Sequence, residues 1–149
     1  MKTKKFGKIH TYSLLLVFLF IAIISCNKNP YNRLLGTWEN KQPTYTETYI
    51  YDGITFDAGS YKMKVKSIIW SSDASGIIYG RYTENTYSPS VVGKYYAVSF
   101  KDLTYSSVSI SGAYKEKGKI ATDSLVEAIN EFTINNGYYS FYSSCKKVK

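Results

Sequence analysis

The chain has 149 residues, of which 19 are Lys or Arg and 11 are Asp or Glu. A chain of this length is expected to form one domain and to bury roughly two-thirds of the surface that its unfolded form exposes. Its basic residues are dispersed along the sequence, which is not the pattern of a nucleic-acid-binding surface, so nucleic acid is excluded as the expected partner.

The first 25 residues have the pattern of a secretory signal peptide. Four lysines and no acidic residue stand in this segment, and eleven consecutive apolar residues run from Leu14 to Ile24. A helix that spans a bilayer needs about 20 apolar residues, whereas the apolar region of a signal peptide has about 7 to 15. We therefore predict a signal peptide over residues 1–25 rather than a transmembrane anchor.

The residues at the predicted cleavage site are Ile23, Ile24, Ser25 and Cys26. They resemble the lipobox of bacterial lipoproteins, in which a branched apolar residue, a tolerant position and a small residue precede a cysteine. The resemblance implies that the Cys26 sulfur receives a diacylglycerol and that its new amino group is acylated, with fatty chains such as palmitate. It also implies a lipid anchor in the bacterial cell envelope, at the outer membrane, on its periplasmic or surface face.

An ordinary secreted protein with a disulfide between Cys26 and Cys145 is the alternative. We favour the lipid anchor, because Ile23 to Cys26 resemble a lipobox. Two acyl chains on Cys26 would be enough to anchor the protein stably. Residues 26–30 would then form the lipidated cysteine and a short tether with a reach of about 15 Å. Residues 31–149 would form the folded domain.

Removal of the signal peptide changes the chemistry that is available. Four of the 19 Lys and Arg residues lie in that segment, so the mature chain of 124 residues would carry 15 basic and 11 acidic side chains. The single histidine, His10, would leave as well. If Cys26 is acylated, Cys145 is the sole free thiol, and the stability of the domain must come from its core.

The remaining chain is rich in residues that favour strands. Tyr45 to Tyr51 alternates with a period of two and is followed by the turn pair Asp52-Gly53. Ser60 to Val65 alternates more regularly, with Tyr61, Met63 and Val65 on one face and Lys62, Lys64 and Lys66 on the other. The alternation slips over Ser67 to Trp70, where we predict a bulge.

Further strands are predicted over Gly76 to Thr83, Lys94 to Phe100 and Thr104 to Ser111. Thr122 to Asn130 has apolar residues at helical spacing, with Ser124 as the N-cap and Glu127 three residues later. A closing hairpin is predicted over residues 132–143, with its turn at Asn135-Asn136-Gly137. Regular short strands of this kind predict an all-β sandwich or barrel.

Gly36-Thr37-Trp38 resembles the Gly-x-Trp opening of lipocalins, and Val92 to Cys145 resembles lipocalin-like modules of bacterial surface lipoproteins. The resemblance implies an up-and-down β-barrel of about eight strands with one late short α-helix, closed at its bottom by Trp38. It also implies an arginine on the last strand that packs over the Trp. The two arginines of the chain, Arg33 and Arg81, do not lie at that position.

A mature chain without histidine cannot assemble a Ser-His-Asp or Cys-His catalytic group, and it lacks the usual ligands of a zinc site. A pair of carboxylates is the remaining acid-base option, drawn from Glu39, Glu47, Asp52, Asp57 and Glu84. Solvated strand ends and turns are the simpler interpretation of these residues. We therefore expect no enzymatic activity, no cofactor and no metal.

The residues predicted to line the barrel interior are Trp38, Tyr61, Met63, Val65, Tyr79, Tyr96, Val98 and Phe100. An eight-stranded barrel is just wide enough for its own side chains or for one small ligand. These side chains would therefore either fill the interior, which we favour, or hold a small apolar or aromatic ligand.

Other residues raise the alternative of a surface interaction. Outward tyrosines would form a contact patch for an envelope or host protein or a glycan, namely Tyr87, Tyr95 and Tyr138. The lysine stripe on the predicted strand, formed by Lys62, Lys64 and Lys66, would either face an anionic membrane or discourage edge pairing between strands. Two functions therefore stay open, which are a lipid-anchored protein that binds a small apolar ligand and an interaction or structural lipoprotein with a filled barrel.

Overall fold

The computed structural model describes residues 29–148, so the predicted signal peptide and Cys26 lie outside the described residues. The chain divides into two compact units, Met1–Asn32 and Arg33–Lys149. A short helix that sequence analysis did not predict, α1, covers Pro30–Leu34. Among the described residues, no helix has the length and apolar character needed to cross a membrane.

The second unit contains eight antiparallel strands that close into a barrel. They are β1 (Gly36–Lys41), β2 (Thr46–Tyr51), β3 (Thr55–Asp57), β4 (Tyr61–Ser72), β5 (Ser75–Asn85), β6 (Tyr95–Lys101), β7 (Ser107–Gly112) and β8 (Ser143–Lys147). Each strand pairs with the next in sequence, and β8 pairs with β1. With the late helix α2 (Leu125–Glu131), this confirms the predicted all-β, up-and-down barrel of about eight strands.

The alternation that predicted β4 is present in the structure. Met63 is fully buried and Lys64 is exposed. The bulge lies at Lys66, one residue before the predicted stretch, because Val65 pairs with Gly80 and Ser67 with Tyr79, whereas the pairing from Ser67 to Trp70 is regular. A bulge bends its strand and increases the local twist, and here β4 continues to Ser72, well beyond the predicted end at Val65.

Helix α2 begins at the predicted cap. The Ser124 side-chain oxygen accepts a hydrogen bond from the Glu127 N–H at 3.1 Å. The Glu127 carboxylate accepts one from the Asp123 N–H at 3.4 Å, one residue before the position expected for a capping box. Ala128 is fully buried, and the helix packs against β5 and β6.

The predicted closing hairpin is wrong, although its turn is present. The Gly137 N–H donates to the Ile134 carbonyl at 2.9 Å, and Gly137 has a φ of +81°. No strand follows the turn before Ser143, and Tyr139 and Tyr79 both donate their hydroxyls to the Phe132 carbonyl, each at 3.2 Å. Side-chain hydrogen bonds therefore tie this segment to β5, and the last strand begins only at Ser143.

One end of the barrel is closed around Trp38, whose side chain is 1% exposed. Its indole N–H donates to the Leu34 carbonyl at 2.9 Å. Lys147, which pairs with Trp38 across β1 and β8, holds its ammonium 4.8 Å from the centroid of the indole ring. The same ammonium donates to the Arg33 carbonyl at 3.1 Å. A lysine on the last strand thus packs over the Trp, where the lipocalin resemblance implies an arginine.

Backbone conformation and close packing both explain why glycine occupies the first position of Gly36-Thr37-Trp38. Gly36 has a φ of +124°, a backbone conformation that residues with a Cβ rarely adopt. A Cβ built at this position would lie 2.8 Å from Cε of Lys147. Gly36 therefore provides the space through which the lysine stem reaches Trp38.

We expect Gly36→Ala to lower the free energy of unfolding by about 2 to 4 kcal/mol, from backbone strain and displacement of Lys147. Gly59→Ala is the control, since Gly59 also has a positive φ but no atom within 4 Å of its Cβ position, and it should cost only about 1 to 2 kcal/mol. Urea unfolding measures both. In a Lys147→Ala background, Gly36→Ala should cost less than in the native chain, and equal costs would contradict the steric role of Lys147.

Candidate functional site

Seven of the eight residues predicted to line the interior share one face of the sheet. Cross-strand pairs join Phe56 to Met63, Gly80 to Tyr96 and Gly76 to Phe100, and residues directly opposite one another in antiparallel strands lie on the same face. Following these pairs around the barrel identifies the inner face as the one that contains Trp38, Tyr61, Met63, Val65, Tyr96, Val98 and Phe100.

Tyr79 is the exception, since it lies on the outer face of β5. It pairs with Ala97, whereas its neighbour Gly80 pairs with Tyr96. The ring is buried all the same, and its hydroxyl donates to the Phe132 carbonyl at 3.2 Å. Tyr79 therefore anchors the segment that follows α2 and does not line the barrel interior.

Side chains fill the interior near the middle of the barrel. Met63 and Val98 are fully buried, and Phe56 and Phe100 are almost so. A Cβ at Gly80 would lie 2.9 Å from Sδ of Met63, and one at Gly76 would lie 2.9 Å from Cζ of Phe100. Because even an added methyl group would clash at either position, a ligand has no space at this depth.

The opposite end of the barrel from Trp38 is open. Since Trp38 lies near the start of β1, the opposite end is where β1 ends and β2 begins, at the pair of Lys41 and Thr46. A pocket of about 510 Å³ opens at this end, and we call it the mouth pocket. Its lining includes Glu47, Tyr49, Ala58, Tyr61, Tyr96 and Gly112.

Three tyrosines pack against one another at one side of the mouth pocket. The Tyr61 ring meets the Tyr96 and Tyr82 rings edge-on, at centroid distances of 5.5 and 5.7 Å, and Tyr82 stacks on Tyr96 at 5.0 Å. The Tyr96 hydroxyl donates to the Ala113 carbonyl at 3.0 Å. A Cβ at Gly112 would lie 2.7 Å from that hydroxyl, so the absence of a side chain at Gly112 leaves room for the Tyr96 ring.

A polar group lies on β1 and β2 at the same end. The Asn40 amide donates to Oε2 of Glu47 at 2.9 Å, and the Gln42 amide donates to Oδ1 of Asn40 at 2.9 Å. The Tyr49 hydroxyl donates to Oγ of Ser143 at 3.3 Å and lies 3.5 Å from Oε2 of Glu47. Glu47 is thus held in position by a buried amide of the neighbouring strand.

The other four candidate carboxylates are engaged elsewhere. Glu39 forms an ion pair with Lys41 at 3.1 Å, and Asp57 and Glu84 pair with Lys62 at 3.7 and 3.3 Å. Asp52 accepts from the Ile54 and Thr55 N–H groups, and these hydrogen bonds lower its pKa. Glu47 alone among the five lines the mouth pocket.

The mouth tyrosines remain protonated over the ordinary pH range. Burial raises the pKa of Tyr49 to about 12. It also raises the pKa of Tyr61, Tyr82 and Tyr96 above the ordinary tyrosine value. Their hydroxyls are therefore neutral hydrogen-bonding groups, and the rings present neutral aromatic faces.

Outside the mouth pocket, the tyrosines predicted to point outward differ from one another in exposure. Tyr138, predicted to point outward, is 1% exposed, whereas Tyr87 is 85% exposed and Tyr95 is half-buried. Lys62 is neutralised by its two carboxylates, so the three-lysine stripe keeps only Lys64 and Lys66 as exposed lysines without such pairs among the described residues. Cys145 is buried, and burial raises its pKa to about 12, so the thiol is a packed core group.

Comparison of the chain with protein-family models, with curated proteins and with solved structures found no match. Within residues 29–148, no group of three or more His, Cys, Asp or Glu side chains is arranged to hold a metal ion.

We expect the free energy of unfolding to fall as the pH rises above about 10, the ordinary tyrosine pKa. Above that pH the unfolded chain releases phenolic protons that Tyr61, Tyr82 and Tyr96 retain in the folded barrel. The unfolded state then binds fewer protons, so stability decreases with pH. Urea unfolding at about pH 8 and about pH 11 measures the decrease.

Tyr82→Phe should reduce this pH dependence, because it removes one buried hydroxyl that titrates on unfolding. Tyr87→Phe is the matched control, since its hydroxyl belongs to an exposed side chain. A pH dependence that is the same in the native protein and in Tyr82→Phe would contradict the burial of this phenol.

Proposed function

We propose that the protein is a lipid-anchored lipoprotein of the bacterial cell envelope whose lipocalin-like barrel binds a small apolar or aromatic ligand in the mouth pocket. The observation that carries the proposal is the pocket of about 510 Å³ at the open end of the barrel. Ligand sites commonly have volumes of about 300 to 1,000 Å³ and are lined by aromatic and apolar groups with a few polar ones. The mouth pocket has a volume in this range, and its lining combines three tyrosines and Ala58 with two glycines and four polar residues, Thr46, Glu47, Thr48 and Ser60.

The packing of the barrel limits what the mouth pocket can hold. Met63 and Phe100 fill the interior below it, so a ligand would contact the upper wall and remain partly open to solvent. Tyr61 is half-buried at the pocket wall and presents both a ring and a hydroxyl. A small molecule with one flat or apolar part fits these limits better than a long fatty chain does.

The lipid anchor is supported by the sequence alone. Ile23 to Cys26 match the lipobox pattern, and the apolar run before them has the length of a signal peptide. An anchored barrel would hold its ligand next to the membrane, because the tether over residues 26–30 is short. We propose an outer-membrane location, on the periplasmic or the surface face.

A second candidate function is a protein-protein interaction at the same end of the barrel. The observation that favours it is a set of exposed aromatic side chains on the segments that connect strands at the mouth end, namely Tyr45, Tyr87, Tyr114 and Phe141. An envelope or host protein would contact this rim, and the filled interior would serve as a rigid support.

Native mass spectrometry of the protein purified from its own membrane tests the ligand proposal. We expect a small molecule to be retained by the native protein and lost from Tyr61→Leu, which removes a ring from the mouth pocket. Tyr87→Leu removes an exposed tyrosine away from that lining and should leave the ligand in place. Equal retention by the two variants would contradict the mouth pocket as the ligand site. Loss of a bound protein from Tyr87→Leu would instead favour the second candidate.

Intact mass measurement tests the anchor. We expect the native protein to begin at Cys26 and to carry the mass of a diacylglycerol and a further acyl chain. Cys145→Ser should leave this added mass unchanged, because Cys145 is buried in the barrel, whereas Cys26→Ser should abolish it. A free thiol at residue 26, or a disulfide between Cys26 and Cys145, would contradict the proposal.

A further inference from the structure

We propose that the mouth pocket selects a ligand that carries a positive charge, an amine or a quaternary ammonium group on an aromatic or aliphatic body, with Glu47 as its counter-ion. The inference rests on the proposed function of the mouth pocket as a ligand site. It adds the charge of the ligand, which the pocket volume alone does not define.

The charge of the pocket wall favours a cation. Among the described residues that line the mouth pocket, Glu47 is the only one with a charged side chain. None of the ion pairs within residues 29–148 includes Glu47, whereas Glu39, Asp57 and Glu84 each have a lysine partner. The mouth pocket therefore contains a half-buried carboxylate without a protein counter-ion.

Neighbouring side chains fix the orientation of that carboxylate. The Asn40 side-chain amide donates a hydrogen bond to Oε2 of Glu47, and the Tyr49 hydroxyl lies 3.5 Å from the same oxygen. Asn40 is buried, and Gln42 donates to its side-chain oxygen. The carboxylate is thus supported from the barrel wall, so it is already positioned before a ligand arrives.

Tyrosine rings line the same pocket as the charge. A cation is attracted to the face of a tyrosine ring, by about 0.5 to 1 kcal/mol at exposed sites and more where water is excluded. Tyr49, Tyr61 and Tyr96 all line the mouth pocket with Glu47. Because burial raises the pKa of each of these tyrosines, their rings stay neutral. The charge of the pocket wall therefore comes from the Glu47 carboxylate, which attracts a cation and repels an anion.

These features together discriminate between ligands of equal size. A neutral ligand would bury the Glu47 carboxylate against an apolar group and would gain no compensation for lost hydration. An ammonium group would pair with the carboxylate and lie against the rings. Attraction between opposite charges is stronger in a partly enclosed site than in water. The pocket should therefore favour a cation over its neutral counterpart.

Titration of the acylated full protein in detergent with phenethylamine and phenethyl alcohol tests the inference, because the two probes differ mainly in charge. Isothermal calorimetry is expected to give tighter binding of the amine by about tenfold. Glu47→Gln keeps the size of the side chain and an oxygen for Asn40, and it should remove the preference. Glu39→Gln is the matched control, since it removes an equal charge from the neighbouring strand, outside the mouth pocket, and it should retain the preference.

The outcomes separate the inference from the proposed function. Equal binding of the two probes by the native protein would overturn the charge selectivity and leave the mouth pocket as a ligand site. Binding of neither probe would overturn both. A preference for the amine that survives in Glu47→Gln would overturn the role of Glu47. Thermal unfolding of both variants establishes that each is folded, and a preference for the amine that weakens with added salt would support an ionic contact.

Discussion

Burial of Trp38 between the first and last strands is the interaction on which the rest of the structure depends. Its indole N–H is bound to the Leu34 carbonyl, and the Lys147 ammonium lies over its ring. The Lys147 contact joins β8 to β1 and the indole hydrogen bond joins β1 to α1, at the end where the barrel closes. An eight-stranded barrel encloses little more than its own side chains. With large residues packed above Trp38, the open space described as the mouth pocket lies at the other end.

Glycines in the barrel wall allow this packing. Gly36 leaves room for the stem of Lys147, Gly80 for Met63 and Gly112 for the Tyr96 hydroxyl. Each of the three large side chains lies against backbone that carries no Cβ, which lets it pack closely in a narrow barrel. The same arrangement therefore produces a solid interior and a mouth pocket bordered by tyrosine rings.

The fold could be predicted where one face of a strand is buried and the other is exposed to solvent. In Ser60 to Val65 lysines alternate with apolar residues, so the two faces were evident, and a bulge is present at Lys66, next to the stretch where it was predicted. On β5 both faces are covered, the outer one by α2 and the residues after it, so Tyr79 and Tyr82 are both buried although they lie on opposite sides. Period-two analysis fails there. It also failed after Phe132, where aromatic side chains pack through rings and hydroxyls instead of a ladder.

The mouth pocket could be predicted only in part, because its chemistry depends on which strands lie side by side. Tyr61 and Tyr96 were predicted from alternation within single strands. In the sequence, Glu47 could not be distinguished from the other four candidate carboxylates. The difference comes from the residues on neighbouring strands, since Asn40 lies opposite Glu47 whereas Lys62 forms ion pairs with Asp57 and Glu84. A lysine opposite Glu47 would have given this carboxylate a counter-ion within the chain. The neutral amide at that register position instead leaves a carboxylate whose charge a ligand can satisfy.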